Sequence, residues 1–208
     1  MANSIKDPIS VSIIGGSGYT GAELIRLISK HPHFELNQVV ANRNAGKKIQ
    51  DIFPHLRHLN IPDFINLEEM NFENVDLIFC ALPHATSQEI IVRIPEGKKI
   101  IDLSADFRLE QVEEYERWYG SKHIAHSLQE KAVYGLTEIY KEKIKKGSLI
   151  ACTGCNSAAS LYPVLPLLNE GIINSDSLII NLGAGVSGAG RDAKQNIIHA
   201  EVSEGVKP

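Results

Sequence analysis

Among the residues of this sequence that could do covalent chemistry, Cys155 stands out by its position. It follows an apolar run, Ser148 to Cys152, and a Thr153-Gly154 turn, and it opens a helical segment that runs to Leu168. The positive end of a helix favours a thiolate and offers amide donors to an oxyanion, so the placement suits attack on a carbonyl. The same residue is half of Cys152-x-x-Cys155, a spacing also used by redox and zinc sites, and a buried, inert thiol is a further reading. A structural zinc site would want a second close pair of ligands, which Cys80 alone does not supply.

Near the start, Gly15-Gly-Ser-Gly-Tyr-Thr-Gly21 contains Gly16-x-Gly18-x-x-Gly21 between a strand-like and a helix-like segment. In that context the glycines allow a tight turn, close approach of the backbone to a pyrophosphate, and close packing of helix on sheet. Amides at the helix start then hold phosphate oxygens. An NAD-preferring domain places Asp or Glu about 20 residues further on, at the end of the second strand. Here the sequence is Val40-Ala-Asn-Arg-Asn44, without a carboxylate, and Arg43 suits a 2'-phosphate, so NADP is the expected cofactor; the alternative is an Arg43 that merely faces solvent.

Two further loops carry polar groups. Asp102-Leu-Ser-Ala-Asp-Phe-Arg108 follows a strand and brings two acids, Ser104 and Arg108 to the carboxyl end of the sheet, where open α/β folds bind ligands. Arg108 could clamp a carboxylate or phosphate through two parallel bonds, or could form a loop salt bridge with Asp106. Gly183-Ala-Gly-Val-Ser-Gly-Ala-Gly-Arg191 offers amides, Ser187 and Arg191 to an anionic group, unless it is a flexible linker. The histidines lie in expected loops and helix ends, and His123-x-x-His126 lacks the neighbours a metal site needs, so no metal is expected. His84, after Leu82-Pro83 at a strand end, belongs to the cofactor side of the sheet.

The elements that would position these groups follow from apolar periodicity. Ile9 to Ile14 reads as a strand, Ala22 to Ile28 as a helix ended near His31-Pro32, and Glu35 to Ala41 as a second strand. Val75 to Leu82, Lys99 to Leu103 and Ser148 to Cys152 read as further strands, with a helix over Ala85 to Ile94. Strands alternating with helices predict an α/β, Rossmann-like, doubly wound and mostly parallel sheet. The connection from Ala105 to Tyr134 reads as a long functional loop. Beyond Thr153 a helix and an apolar strand, Ser177 to Leu182, open a second, α+β domain for substrate and oligomer contacts; the expected domains are 1–153 and 154–208.

With 208 residues, 43% of them hydrophobic and 22% charged, the chain can bury a large core. A net charge of -4 gives no field favouring nucleic acid or an anionic membrane, and Lys141 to Lys146 reads as the solvated face of a helix. No stretch reaches the roughly 18 apolar residues of a membrane span, and the start lacks a secretory apolar core, so a cytoplasmic protein with small-molecule partners is expected. Three cysteines are too few for a disulfide scaffold.

Taken in order, Gly15 to Leu24, Leu82-Pro83-His84, Asp102 to Arg108, Tyr134-Gly-Leu-Thr-Glu138, Gly154-Cys155 and Gly185 to Arg191 resemble the N-acetyl-gamma-glutamyl-phosphate reductases of arginine biosynthesis. The resemblance implies NADPH-dependent reduction of an acyl phosphate, N-acetylglutamyl 5-phosphate, through a Cys155 thioester, in a dimer or tetramer. It further implies cofactor contacts from Gly15, Gly16, Ser17, Gly18, Tyr19, Thr20, Gly21, Asn42, Arg43, Leu82, Pro83, His84, Ser187 and Gly188. Substrate contacts would come from Ser104, Arg108, Asn156, Gly188 and Arg191. Another acyl-phosphate reductase, acting on aspartyl or aminoadipyl phosphate, and a nucleotide-binding fragment without catalysis are the alternatives.

The sequence departs from that family in having Cys152-Thr153 where Asn-Pro usually precedes Gly-Cys, and Ala85 where a glycine is common. The family's catalytic histidine sits in a His-Arg-His stretch that lies past Pro208, so a C-terminally incomplete chain with little turnover is expected, and His199 is not assigned that role.

Overall fold

The computed structural model describes residues 7–192 and 194–206. Seven strands form one sheet: β1 (Ile9–Ile14), β2 (Phe34–Val40), β3 (Phe64–Ile65), β4 (Leu77–Cys80), β5 (Lys99–Asp102), β6 (Val133–Gly135) and β7 (Leu149–Cys152). Their spatial order is β3-β2-β1-β4-β5-β7-β6, and every pairing is parallel. The helices are α1 (Tyr19–Ile28), α2 (Ile49–Ile52), α3 (Thr86–Ile91), α4 (Val112–Tyr119), α5 (His126–Gln129), α6 (Thr137–Lys146), α7 (Cys155–Asn169) and α8 (His199–Val202). The chain divides into two compact units, residues 1–153 and 154–208, so the whole sheet belongs to the first.

Strand side chains alternate between faces, and the core splits accordingly. Val11, Ile13 and Val39 pack with Ala22, Ile25 and Ile28 of α1 on one side, while Ile14, Val40, Ile78 and Cys80 pack with Ile91 of α3 on the other. The doubly wound parallel sheet expected from the alternating pattern is what the first unit builds. Because all strands run the same way, their carboxyl ends share one edge. The order reverses direction between β1 and β4, which is the position where such sheets bind ligands.

The Ala105 to Tyr134 connection is not an open loop. It contains α4, α5 and several buried polar side chains. The second unit has α7, α8 and short 3-10 turns, and the expected strand at Ser177 to Leu182 is not formed: Ser175–Ser177 is a 3-10 turn, and Ile179 and Leu182 are exposed. Among the described residues no helix is long and apolar enough to cross a membrane.

Candidate active site

The glycine loop at the switch point is shaped by two different demands. Gly15 has φ +89°, and a Cβ there would lie 2.4 Å from the Ala81 carbonyl oxygen in the loop after β4. A Cβ on Gly21 would lie 2.5 Å from the carbonyl oxygen of Gly16, so α1 can seat against the loop only without one. The Gly15 and Gly16 amides both donate to Val40 O, at 3.0 and 2.9 Å, which ties the loop to the end of β2. Gly18 differs: it has an ordinary φ of -84°, and a Cβ there would meet nothing within 4 Å. Neither packing nor backbone geometry calls for glycine at position 18. It caps the amino end of α1 without a side-chain cap bond of its own, and the first amides of a helix are the groups a pyrophosphate uses. The residues present therefore fit a dinucleotide.

Tyr19 and Thr20 are exposed at this helix start, and Ser17 is half-buried. Arg43 stands exposed in a 3-10 turn, Asn42–Asn44, just past β2, and the ion pairs among the described residues do not include it. Asn42 has a fold role: its Oδ1 accepts from the Leu67 amide at 3.0 Å. Pro83 and His84 are exposed after β4, with the His84 ring tilted against Tyr119 at 5.8 Å.

The Asp102 to Arg108 loop is largely buried, and its polar side chains bond within the first unit. Ser104 is buried; its Oγ donates to Asp102 Oδ2 at 2.6 Å and accepts from the Asp106 amide at 3.0 Å. These bonds hold the turn that follows β5. Arg108 forms no ion pair with Asp106: its Nε donates to Cys152 O at 2.7 Å and its Nη2 to Leu103 O at 2.9 Å. It thus bridges the carboxyl ends of β5 and β7.

Beneath lies a polar network that sequence reading missed. Asp106, fully buried, accepts from the Ala85 amide (2.6 Å), the Gln88 amide (2.9 Å) and Tyr115 Oη (2.8 Å). The first two are amides at the start of α3, so Asp106 caps that helix from another loop. Gln88 Oε1 in turn accepts from the Ile124 amide at 2.6 Å. Burial, reinforced by the bond to Asp106, pushes the Tyr115 hydroxyl well above its usual pKa. Burial likewise raises Asp102, against the opposing bonds from Ser104 and Ser87. No local pattern signals such a cluster; the one available hint was two acids within five residues of a long connection.

His123 belongs to the same cluster. The Ala125 amide donates to its Nδ1 at 3.3 Å, so its Nε2 carries the proton and donates to Asp106 O at 3.0 Å. Burial lowers its pKa. An imidazole kept neutral in the fold but free to protonate near 6.5 when unfolded contributes stability above that pH, and the contribution is lost as pH falls below it. Urea midpoints should therefore decline as pH falls through about 6.5, where the unfolded imidazole takes up its proton. His123→Asn should flatten that decline; an unchanged slope would assign the acid sensitivity elsewhere. His126 Nε2 bonds His123 O at 2.6 Å, so this histidine pair is engaged with backbone.

Of the three cysteines, Cys80 is buried, Cys152 half-buried and Cys155 exposed. Burial raises the Cys80 thiol well above its usual pKa, with the Asp102 charge adding to the effect. Cys152 is raised by burial and by Asp102, partly offset by Arg108. In the second unit Cys155 is the first residue of α7, behind a Gly154 cap whose carbonyl accepts from the Ala158 amide at 2.8 Å. Its sulfur lies 3.9 Å from Asn156 Oδ1. Ser187 and Gly188 sit in an exposed 3-10 turn, Val186–Ala189, and Arg191 is exposed nearby in sequence. Among the described residues no group of His, Cys, Asp and Glu is arranged to hold a metal, so Cys152 and Cys155 are not part of such a cluster.

A glycine loop at the switch point of a parallel, doubly wound sheet defines a dinucleotide-binding α/β fold. Residues 10–147 match the semialdehyde dehydrogenase NAD binding domain, and residues 155–208 match the semialdehyde dehydrogenase dimerisation domain; the chain belongs to the semialdehyde dehydrogenase family. More particularly, it is 52% identical over 198 residues to the N-acetyl-gamma-glutamyl-phosphate reductase of Rhodobacter capsulatus, an alignment covering 95% of this chain and 58% of that one. The reductase of the same name from Jannaschia sp. is 48% identical, with 94% and 57% covered. The chain thus spans under two thirds of the length of these curated relatives. Among solved structures, aspartate semialdehyde dehydrogenase with NADP from Candida albicans matches with a TM-score of 0.56 and 21% identity, covering 79% of this chain and 48% of that one. Aspartate semialdehyde dehydrogenase II from Vibrio cholerae matches at 0.58 and 16%, covering 78% and 47%. At these identities the structures speak for the fold.

The two kinds of glycine give a separable expectation. Gly18→Ala should leave stability within about 1 kcal/mol, since the cap position tolerates the change, yet weaken dinucleotide binding tenfold or more by filling the cradle. Gly21→Ala should instead destabilise the fold by about 1–3 kcal/mol through the clash with Gly16 O. Calorimetric titration with NADPH alongside urea denaturation checks both, and normal binding by the Gly18→Ala protein would place the phosphates elsewhere.

Proposed function

We propose that this chain carries the dinucleotide-binding and nucleophile-bearing part of an N-acetyl-gamma-glutamyl-phosphate reductase. The observation that carries the reading is Cys155, exposed at the first position of α7, in a chain about half identical to reductases of that name. The Cys155 sulfur attacks the acyl carbon of N-acetylglutamyl 5-phosphate, the carbon–oxygen bond to phosphorus breaks, and phosphate leaves. Amides at the start of α7 stabilise the oxyanion. When bound, NADPH supplies the hydride that converts the thioester to the aldehyde level. The carbon–sulfur bond then breaks, N-acetylglutamate 5-semialdehyde departs, and Cys155 is regenerated.

In this reading Gly15 to Gly21 cradle the pyrophosphate, Arg43 meets the 2'-phosphate, and Leu82, Pro83 and His84 border the nicotinamide side. Asn156, Ser187, Gly188 and Arg191 are the substrate-side candidates, together with Ser104 and Arg108, whose bonds to their own loop and to backbone carbonyls also shape that edge of the sheet. The match of residues 155–208 to a dimerisation domain supports a working homo-oligomer. Arg43→Ala should reduce the preference for NADPH over NADH by about 10- to 100-fold, the worth of one or two charge-assisted bonds. Equal loss of both affinities would count against a 2'-phosphate contact.

The test of the whole reading is acylation. Protein mixed with N-acetylglutamyl 5-phosphate without nucleotide should release one phosphate per Cys155 and gain one N-acetylglutamyl group by intact mass. With phosphate and NADP supplied, N-acetylglutamate 5-semialdehyde should be oxidised in preference to aspartate semialdehyde. Acylation by aspartyl phosphate instead would move the assignment to the aspartate enzymes.

A further inference from the structure

The last two residues of the first unit are held from three directions. The Cys152 carbonyl, at the end of β7, accepts from Arg108 Nε at 2.7 Å, and the same guanidinium is anchored by Leu103 O. The next residue, Thr153, has its hydroxyl paired with Tyr134 Oη at 2.7 Å, across from the neighbouring strand β6. Beside Tyr134, Gly135 lies so close to β7 that a Cβ would stand 2.9 Å from Cys152 Cα and 3.0 Å from Ala151 O. A strand end that merely leaves a sheet needs none of this. Hydrogen bonds to the sheet ladder already fix Ile150 to Cys152, and the Tyr134 hydroxyl and Arg108 act on the exit itself.

One glycine separates Thr153 from Cys155. A nucleophile placed an ångström away from its attack geometry loses a large part of its rate, so a fixed strand exit has catalytic value that a stability argument would not reveal. We propose that Tyr134, through the Thr153 hydroxyl, and Arg108, through the Cys152 carbonyl, are positioning residues that fix the strand exit two and three residues before the nucleophile. The proposal rests on Cys155 being the acylated residue. Neither side chain is assigned contact with substrate or cofactor in this role. The clamp also accounts for Arg108, a cation at the binding edge whose bonds go to backbone carbonyls.

The experiment uses Tyr134→Phe, which keeps the ring and removes the hydroxyl, Thr153→Val, which keeps the shape and removes its partner, and the double variant. First-turnover phosphate release at saturating N-acetylglutamyl 5-phosphate reads the acyl transfer to Cys155. Each single change should slow it about tenfold with the half-saturating substrate concentration unchanged. The double change should slow it no more than either single one, because both remove the same bond. Thr153→Ser, which restores a hydroxyl, should recover most of the rate. Singles within twofold of the native protein, losses that multiply to about a hundredfold, or losses that appear only in half-saturation would overturn the clamp. If native Cys155 is acylated and Tyr134→Phe is acylated as fast, the clamp alone fails; if native Cys155 is never acylated, the clamp and the proposed function fall together.

Discussion

A protein carrying Cys155→Ser should lose acyl transfer by about 10⁴-fold or more, close to the level of no nucleophile, while folding and binding nucleotide as before. A hydroxyl is a far weaker nucleophile than a thiol unless a base activates it, and about 10⁴ in rate corresponds to about 5.5 kcal/mol of barrier. Cys155 is exposed and none of the first unit's core residues lie at that position, so the structural penalty should be small. A second measurement separates this cysteine from the others without any substrate. Iodoacetamide at pH 8 should modify Cys155 alone, because Cys80 is buried and both Cys80 and Cys152 have thiols raised by burial. Activity should disappear in step with that one modification. Full activity in a protein alkylated at Cys155 would exclude the thioester route.

Why the place of Cys155 at a helix start was legible while the contacts of the buried polar residues were not has a physical explanation. The strands β1, β2, β4, β5 and β7 are β-branched apolar runs closed by glycine, proline or polar residues, and each lies within two residues of its expected bounds. A cysteine after such a strand and a glycine loop after another are local patterns. The strands β3 and β6 have two and three residues, too few for periodicity to register. Ser177 to Leu182 has the composition of a strand, but a strand exists through a partner's hydrogen bonds, and no described residue supplies them. The polar cluster fails to show for a different reason. Asp106, Gln88, Tyr115 and His123 are joined by bonds spanning 9 to 27 positions, and a residue's type shows its chemistry without its direction. Ser104 and Arg108 illustrate the point: that one bonds Asp102 and the other the Cys152 carbonyl is not written in their residue types.

The largest effect on stability is expected at Asp106. Asp106→Ala should cost about 3–5 kcal/mol, a large share of the 5–15 kcal/mol that holds an ordinary domain together. Three donors, the Ala85 and Gln88 amides and the Tyr115 hydroxyl, would lose their acceptor in a region from which water is excluded. Asp106→Asn, which keeps one acceptor oxygen and turns an NH₂ toward the remaining donors, should fall between, at about 2–3 kcal/mol. The loss should also reach the nucleotide. Ala85 sits at φ +64°, a left-handed conformation costing a non-glycine residue about 1–2 kcal/mol, and its amide is held there by Asp106. Without that bond the Leu82 to Ala85 loop, at the switch point, has no reason to keep its shape, so dinucleotide affinity should fall together with stability. Adding Ala85→Gly to Asp106→Asn relieves the strained residue and should recover part of both. Urea denaturation and NADPH titration on the three proteins decide the matter: a cost below about 1 kcal/mol for Asp106→Ala would mean that the helix start and the tyrosine find other partners, and that the buried carboxylate is not what shapes this edge of the site.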